Sequence, residues 1–187
     1  MGRGTALTTG ANSGIGLATA IELARQGFRS VGTVRSDGKA DVVAKAAADA
    51  GVEVETAILD VTDAAACADV IDRYTPTALV NNAGYSITGA IEDVDDDEAR
   101  HAFETMVLAP VRLARLAVPH MRTQHAGRIV MVSSIYGRTS TSLTGWYQGC
   151  KQALEGLSDA LRMEVARDGI TVALVEPGGF RTGIWEE

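Results

Sequence analysis

An α/β fold, a doubly wound parallel sheet with helices on both faces, is the fold class this sequence predicts. Short apolar runs of strand length alternate with segments whose apolar residues recur at helical spacing. A glycine-rich turn joins the first such run to the first such segment. The βαβαβ rhythm needs right-handed crossovers, and these place the helices on both sides of one sheet.

The elements follow in order. Residues 5–8 read as a first strand, and residues 15–26 as a helix with Leu17, Ile21 and Ala24 at helical spacing. Residues 29–34 form a second strand. An Ala-rich helix spans 40–50 and stops at Gly51. Residues 52–59 give a third strand, with Val52, Val54 and Ile58 at even steps. Thr62 or Asp63 caps a helix running to about Tyr74. A fourth strand ends at Leu79-Val80-Asn81. Residues 95–121 read as mostly helical, with a kink at Pro110 and a break near Pro119. The fifth strand spans 128–132 and the sixth 170–175, with a long helix over 145–167 between them.

Composition bounds the class of function. At 187 residues the chain fits one domain with a sizeable core. A net charge of −7 and no Lys/Arg cluster argue against a nucleic-acid partner. No apolar run is long enough to cross a bilayer, and residues 1–9 do not read as a signal peptide. Cys67 and Cys150 both fall in helical segments and read as reduced thiols, so the expected location is cytoplasmic.

The chemistry begins in Thr9-Gly10-Ala11-Asn12-Ser13-Gly14-Ile15-Gly16, between the first strand and helix. Its glycines permit a tight turn and close backbone approach to a pyrophosphate. The helix N-terminus behind them offers free N–H groups and the positive end of a dipole. This T-G-x-x-x-G-x-G loop resembles the cofactor loop of the short-chain dehydrogenases/reductases. Later segments match that family in order, so the resemblance covers essentially the whole chain. It implies a Rossmann-like three-layer αβα fold. It also implies that Asp60, with Val61 beside it, meets the adenine, and that Asn82-Ala83-Gly84 of the N-N-A-G segment lines the cofactor and braces the sheet. Pro177-Gly178-Gly179-Phe180-Arg181-Thr182 is similar to the family's P-G-x-x-x-T, in which backbone and Thr182 hydroxyl hold the nicotinamide carboxamide.

The second strand ends at Val34, where a carboxylate would accept from the ribose 2′-OH, and Arg35 follows. A guanidinium pairs well with a 2′-phosphate, so NADP(H) is expected ahead of NAD(H).

Tyr147 and Lys151 lie four residues apart on the long helix. Four residues turn roughly 40° past one full turn, so the two side chains share a face. That face is distinct from the apolar stripe of Cys150, Leu154, Leu157, Leu161 and Val165. A free Tyr titrates at about 10, and a nearby ammonium stabilises the phenolate and brings that value down toward neutrality. The resemblance implies that Tyr147 is the general acid/base and that Lys151 also holds the nicotinamide ribose. It implies too that Ser134, thirteen positions before Tyr147, hydrogen-bonds the substrate oxygen. The expected reaction is hydride transfer between NADP(H) and a carbonyl or secondary alcohol, with a homodimer or homotetramer as the assembly.

Two departures qualify that pattern. Many relatives carry an Asn that serves a proton relay where Met106 stands here, and a thioether cannot donate. Relatives also continue past P-G-x-x-x-T into a lid, a helix and a last strand, so a sheet lacking that strand and lid is expected. Both departures keep open an alternative, a non-catalytic NAD(P)-binding sensor or regulator. The six acids of residues 92–98 lack the spacing of a calcium loop and read as an acidic helix start. His101, His120 and His125 lack zinc-ligand spacing and read as ordinary surface or core residues. Trp146 reads as a packing residue.

Overall fold

The computed structural model describes residues 3–180. Strands β1 (Thr5–Thr9), β2 (Arg29–Val34), β3 (Glu55–Ile58), β4 (Ala78–Asn81), β5 (Gly127–Val132) and β6 (Ile170–Val175) form one parallel sheet in the order β3-β2-β1-β4-β5-β6. Helices α1 (Gly14–Arg25), α2 (Asp37–Asp49), α3 (Ala64–Tyr74), α4 (Asp96–Phe103), α5 (Ala109–Gln124) and α6 (Gly145–Val165) make the crossovers. The expected Rossmann-like architecture is therefore present, and among the described residues β6 is the edge of the sheet.

Register explains the core. Val31, Leu7, Leu79, Ile129 and Val172 pair in sequence across five strands, and all five side chains are buried on one face. They pack with Cys67, Ile71 and Tyr74 of α3, Leu113 and Met121 of α5, and Leu154 of α6. The alternate face carries small residues. Gly32 of β2 leaves room for Ala11, whose Cβ would lie 2.7 Å from a Cβ added there, and Ser30 donates to the Ala20 carbonyl of α1 at 2.7 Å. Period-2 alternation thus sends large apolar groups to α3, α5 and α6, and close-approach groups to α1.

Several boundaries differ from the sequence reading. Strand β3 starts at Glu55, because pairing with β2 begins only at Val31↔Glu55. Helix α2 starts at Asp37, three residues earlier than read, and brings Lys39 into its first turn. No break occurs at Pro119, and α5 continues to Gln124. Val118 and Met121 are buried on either side of it, and the Thr123 hydroxyl donates to the Pro119 carbonyl at 3.2 Å. Tertiary burial there outweighs one missing N–H. A π-helical turn, Glu104–Leu108, joins α4 to α5 just before Pro110, where the kink was expected. Helix α6 closes in a 3-10 turn, Ala166–Asp168. Leu157, assigned to its apolar stripe, is 44% exposed, whereas Leu154 and Val165 are buried.

Asp63, rather than Thr62, caps α3, accepting from Ala65 N at 2.9 Å and Ala66 N at 3.0 Å. Its replacement in Asp63→Ala is expected to lower stability by about 0.5–2 kcal/mol. The check is a shift of the urea unfolding midpoint at constant slope.

Candidate active site

From β1 the chain winds outward to β2 and β3, then returns to β4 beside β1 and winds the other way to β5 and β6. The turns after β1 and β4 therefore diverge, and a crevice opens at the carboxyl edge of the sheet. A cleft of about 800 Å³ occupies it. Gly10, Asn12, Ser13, Gly14, Ile15, Arg35, Asp60, Val61, Asn82, Ala83, Gly84, Ser134, Tyr147, Lys151, Pro177 and Gly178 all line that one cleft. Gly16 does not. A Cβ there would collide with the Gly10 carbonyl and the Asn82 amide, so this glycine permits close packing of the loop rather than lining the cleft. Thr182 lies outside the described residues, as do Arg181 and Trp185.

At one end of the cleft, Gly10 and Gly14 hold φ of 64° and 51°, the left-handed region that favours glycine. Ser13 occupies the N-cap of α1 without capping it, and the first turn holds no acid, so the helix N-terminus stays open to an anion. The adjoining crevice is stitched across. Thr9 Oγ1 accepts from Asn82 N at 2.9 Å and Ala83 N at 3.0 Å. Asn82 Nδ2 returns hydrogen bonds to the carbonyls of Thr9 at 3.0 Å and Gly10 at 3.2 Å. Asp60 is not a helix cap. Its carboxylate accepts from the Thr62 hydroxyl at 2.7 Å and Thr62 N at 2.9 Å, and these bonds hold it below the usual carboxylate range.

At the other end, Ser134 follows β5 as the cap of a 3-10 turn, Ile135–Gly137, and Tyr147 and Lys151 project from the first two turns of α6. Both helical residues are buried, although their face is polar. Lys151 Nζ donates to the Val132 carbonyl at 2.8 Å and lies 5.6 Å from the Tyr147 ring centroid. Burial pulls the ammonium down from 10.5 to about 8. It also pushes the Tyr147 phenol above its ordinary value, and the Ser134 hydroxyl works against that rise. The expected lowering of Tyr147 is thus absent: desolvation outweighs the hydrogen bond with Ser134, the one influence that lowers it. Cys150, between the pair, is fully buried and its thiol is pushed up to about 11 by desolvation.

Other residues here escaped the sequence reading. Gln148 is buried and clasps the loop before α6, donating to the Thr141 carbonyl at 3.0 Å and accepting from Thr141 N at 3.2 Å, which fixes the start of the helix beside Tyr147. Tyr136 meets the Tyr147 ring edge-on, with centroids 6.2 Å apart. Lys39 lines the cleft along with Arg35. His101, read as an ordinary surface or core residue, lines it too and packs on Tyr85 at 5.7 Å between centroids. Met106 is buried within the π-helical turn, its Cγ 3.3 Å from where a Gly84 Cβ would sit. Trp146 packs edge-on against Phe103 and donates to the Ile91 carbonyl at 3.2 Å, consistent with a packing role.

A family model described as short chain dehydrogenase matches residues 4–187. The chain belongs to the short-chain dehydrogenase family. It is 38% identical over 191 residues to the uncharacterized oxidoreductase YusZ of Bacillus subtilis (strain 168), covering 99% of this chain and 68% of that protein. Retinol dehydrogenase 8 of Bos taurus is 35% identical over 181 residues, 93% of this chain and 58% of that protein. The chain thus spans about three fifths to two thirds of the length of these curated relatives. Among solved structures, a metagenomic short-chain oxidoreductase in complex with NADP superposes with a TM-score of 0.88 at 30% identity, covering 97% of this chain and 85% of that one. The two curated relatives are named an oxidoreductase and a dehydrogenase, and the solved structure is a complex with NADP. Among the described residues no helix is long and apolar enough to cross a membrane.

The buried Lys151 makes a stability prediction. Because its folded-state value of about 8 lies below 10.5, the unfolded chain binds more protons between those values, and stability rises with pH across that window. Below pH 8 the penalty of burying the charge is complete. Lys151→Met should therefore raise the urea midpoint of the ligand-free protein at pH 7, and the gain should shrink as pH approaches 10.5. An unchanged or lower midpoint at pH 7 contradicts the assignment.

Proposed function

We propose that this chain catalyses hydride transfer between NADP(H) and a carbonyl or secondary-alcohol substrate, with Tyr147 as the general acid/base. One observation carries the reading: Ser134, Tyr147 and Lys151 converge at one end of the cleft that the glycine loop, Asp60 and Arg35 line at the other. The residues fit a pyridine dinucleotide. The uncapped start of α1 and the left-handed Gly10 and Gly14 suit a pyrophosphate, Asp60 and Val61 an adenine, and Asn82 to Gly84 the body of the cofactor. Lys151 would hold the nicotinamide ribose, and Pro177 and Gly178 the carboxamide. When bound, the dinucleotide supplies or accepts the hydride.

The chain's own residues manage the proton. The raised phenol of Tyr147 keeps its proton at neutral pH, which is the form that protonates a carbonyl oxygen during reduction. Ser134 donates to the same oxygen and orients it toward Tyr147. The Lys151 ammonium stabilises the phenolate left behind, and the buried setting strengthens that attraction. Met106 contributes no proton-relay group, so Lys151 must exchange its proton by a route that does not use this side chain.

NADP(H) is proposed over NAD(H). Val34 leaves no carboxylate at the end of β2 to repel a 2′-phosphate, and both Arg35 and Lys39 line that end of the cleft. A related solved structure is described as holding NADP.

Tyr147→Phe should remove turnover, by about 10²-fold or more, while NADPH still binds. NADPH oxidation over a panel of ketones from 2-butanone to 2-decanone and acetophenone, paired with NADPH fluorescence titration, measures both. Binding without turnover by the wild type on every ketone would favour the sensor reading instead. Arg35→Ala with Lys39→Ala should raise KM for NADPH by ~10- to 100-fold, the worth of charged hydrogen bonds, and leave NADH nearly unaffected. Equal losses with both cofactors would refute the preference.

A further inference from the structure

A buried carboxylate that the proposed chemistry does not use lies one helical turn beyond Lys151. Glu155 is 3% exposed, on the same face of α6 as Lys151. Burying a carboxylate is costly unless hydrogen bonds or an opposite charge offset it, and here one hydrogen bond and one ion pair do so. The Ser133 hydroxyl, next to Ser134, donates to Oε1 at 2.7 Å, and Arg138 Nε lies 2.6 Å from Oε2. Arg138 also reaches Glu176, with Nη2 at 3.1 Å from Oε1. The loop between Ser133 and Arg138 is pressed onto this carboxylate. A Cβ at Gly137 would collide with it and would come within 2.7 Å of Ser133 Oγ. Backbone bonds bring in the β6 exit: Ser133 N donates to the Val175 carbonyl at 2.8 Å and Ile135 N to the Pro177 carbonyl at 3.0 Å. One carboxylate therefore ties together α6, the loop carrying Ser134 and, through Arg138, the segment leading to Pro177.

We propose that Glu155 is a positioning residue, which through Ser133 and Arg138 holds the Ser134 hydroxyl in register with Tyr147 and Lys151. It touches neither substrate nor cofactor. The proposal rests on the oxidoreductase reading above, because the serine's placement matters only if Ser134 meets a reacting oxygen. A misplacement of this kind, remote from the chemistry, lowers the rate rather than cofactor affinity.

The test is a double-mutant cycle on the full chain with Glu155→Gln, Ser134→Ala and the pair together. Gln keeps an acceptor for Ser133 but removes the charge that holds Arg138. NADPH oxidation is followed with whichever ketone of the panel the wild type reduces fastest, and NADPH affinity by its fluorescence. Glu155→Gln is expected to lower kcat by ~10- to 100-fold. NADPH affinity, set largely at the other end of the cleft, should stay within about twofold. Ser134→Ala should then cost much less in the Gln background than in the wild type. A merely structural glutamate gives a different result: a lower melting temperature, unchanged kcat in the folded protein, and losses that multiply. That result overturns the proposal. If Glu155→Gln fails to fold, the half-exposed Arg138→Gln takes its place in the cycle, with the same coupling expected and the same multiplying losses overturning it. A wild type that reduces none of the ketones overturns the catalytic reading itself, whereas active wild type with uncoupled losses overturns only the role of Glu155.

Discussion

Everything at the cleft depends on the join between β1 and β4. These neighbouring strands carry the chain in opposite directions across the sheet, so the turns leaving them must part. Parting would leave backbone groups bare at the bottom of a crevice, where each unpaired group is costly. Thr9 and Asn82 close that gap reciprocally: a hydroxyl takes two backbone N–H groups, and a side-chain amide serves two carbonyls. The crevice can then remain open above a satisfied floor. Gly16 is part of the same arrangement, since any side chain there would displace both the Gly10 carbonyl and the Asn82 amide.

The two ends of the cleft use burial in opposite ways. At the glycine loop, polar groups are left exposed and uncapped, ready for an anion. At the α6 end, ionisable groups are driven into the interior. Lys151, Glu155 and Tyr147 are all nearly inaccessible, and each depends on a specific partner: the Val132 carbonyl, Ser133 with Arg138, and Ser134. Such groups weaken the folded state while narrowing the positions available to their neighbours, a common trade between stability and function.

Much of this was legible in the chain. The bounds of β2 and β6 are readable to the residue: β6 is an apolar run that follows Gly169, and β2 lies between Gly27 and the polar Arg35-Ser36. Gly10 and residues 12–15 of the glycine loop, Asp60, Asn82-Ala83-Gly84, Ser134, Tyr147 and Lys151 are identifiable because their order along the chain matches a family pattern, and folding brings all of these to one cleft, which Gly16 does not line. What escaped depends on distance in space. Pro119 marks a helix end locally, but Val118 and Met121 are held in the core. Leu157 sits on an apolar stripe by spacing, yet spacing says nothing about whether a neighbour covers that turn. Glu155 and Gln148 look like ordinary helix residues until the loops at Ser133 and Thr141 fold over them. The upward shift of Tyr147 lies beyond the sequence for the same reason: a charge four residues away is visible in the chain, whereas desolvation is a property of the packed interior.

Cys150 adds a chemical consequence. Only the thiolate attacks peroxides, disulfides or alkylating reagents, and a thiol held near 11 with no exposed surface offers almost none of it at neutral pH. A cysteine directly adjoining Lys151 would otherwise be the weak point of the helix under oxidation. Desolvation, which lowers the lysine and raises the thiol, makes the same stretch of α6 a poor target for electrophiles. Oxidants and thiol-directed inhibitors would have to unfold this helix before they could modify it.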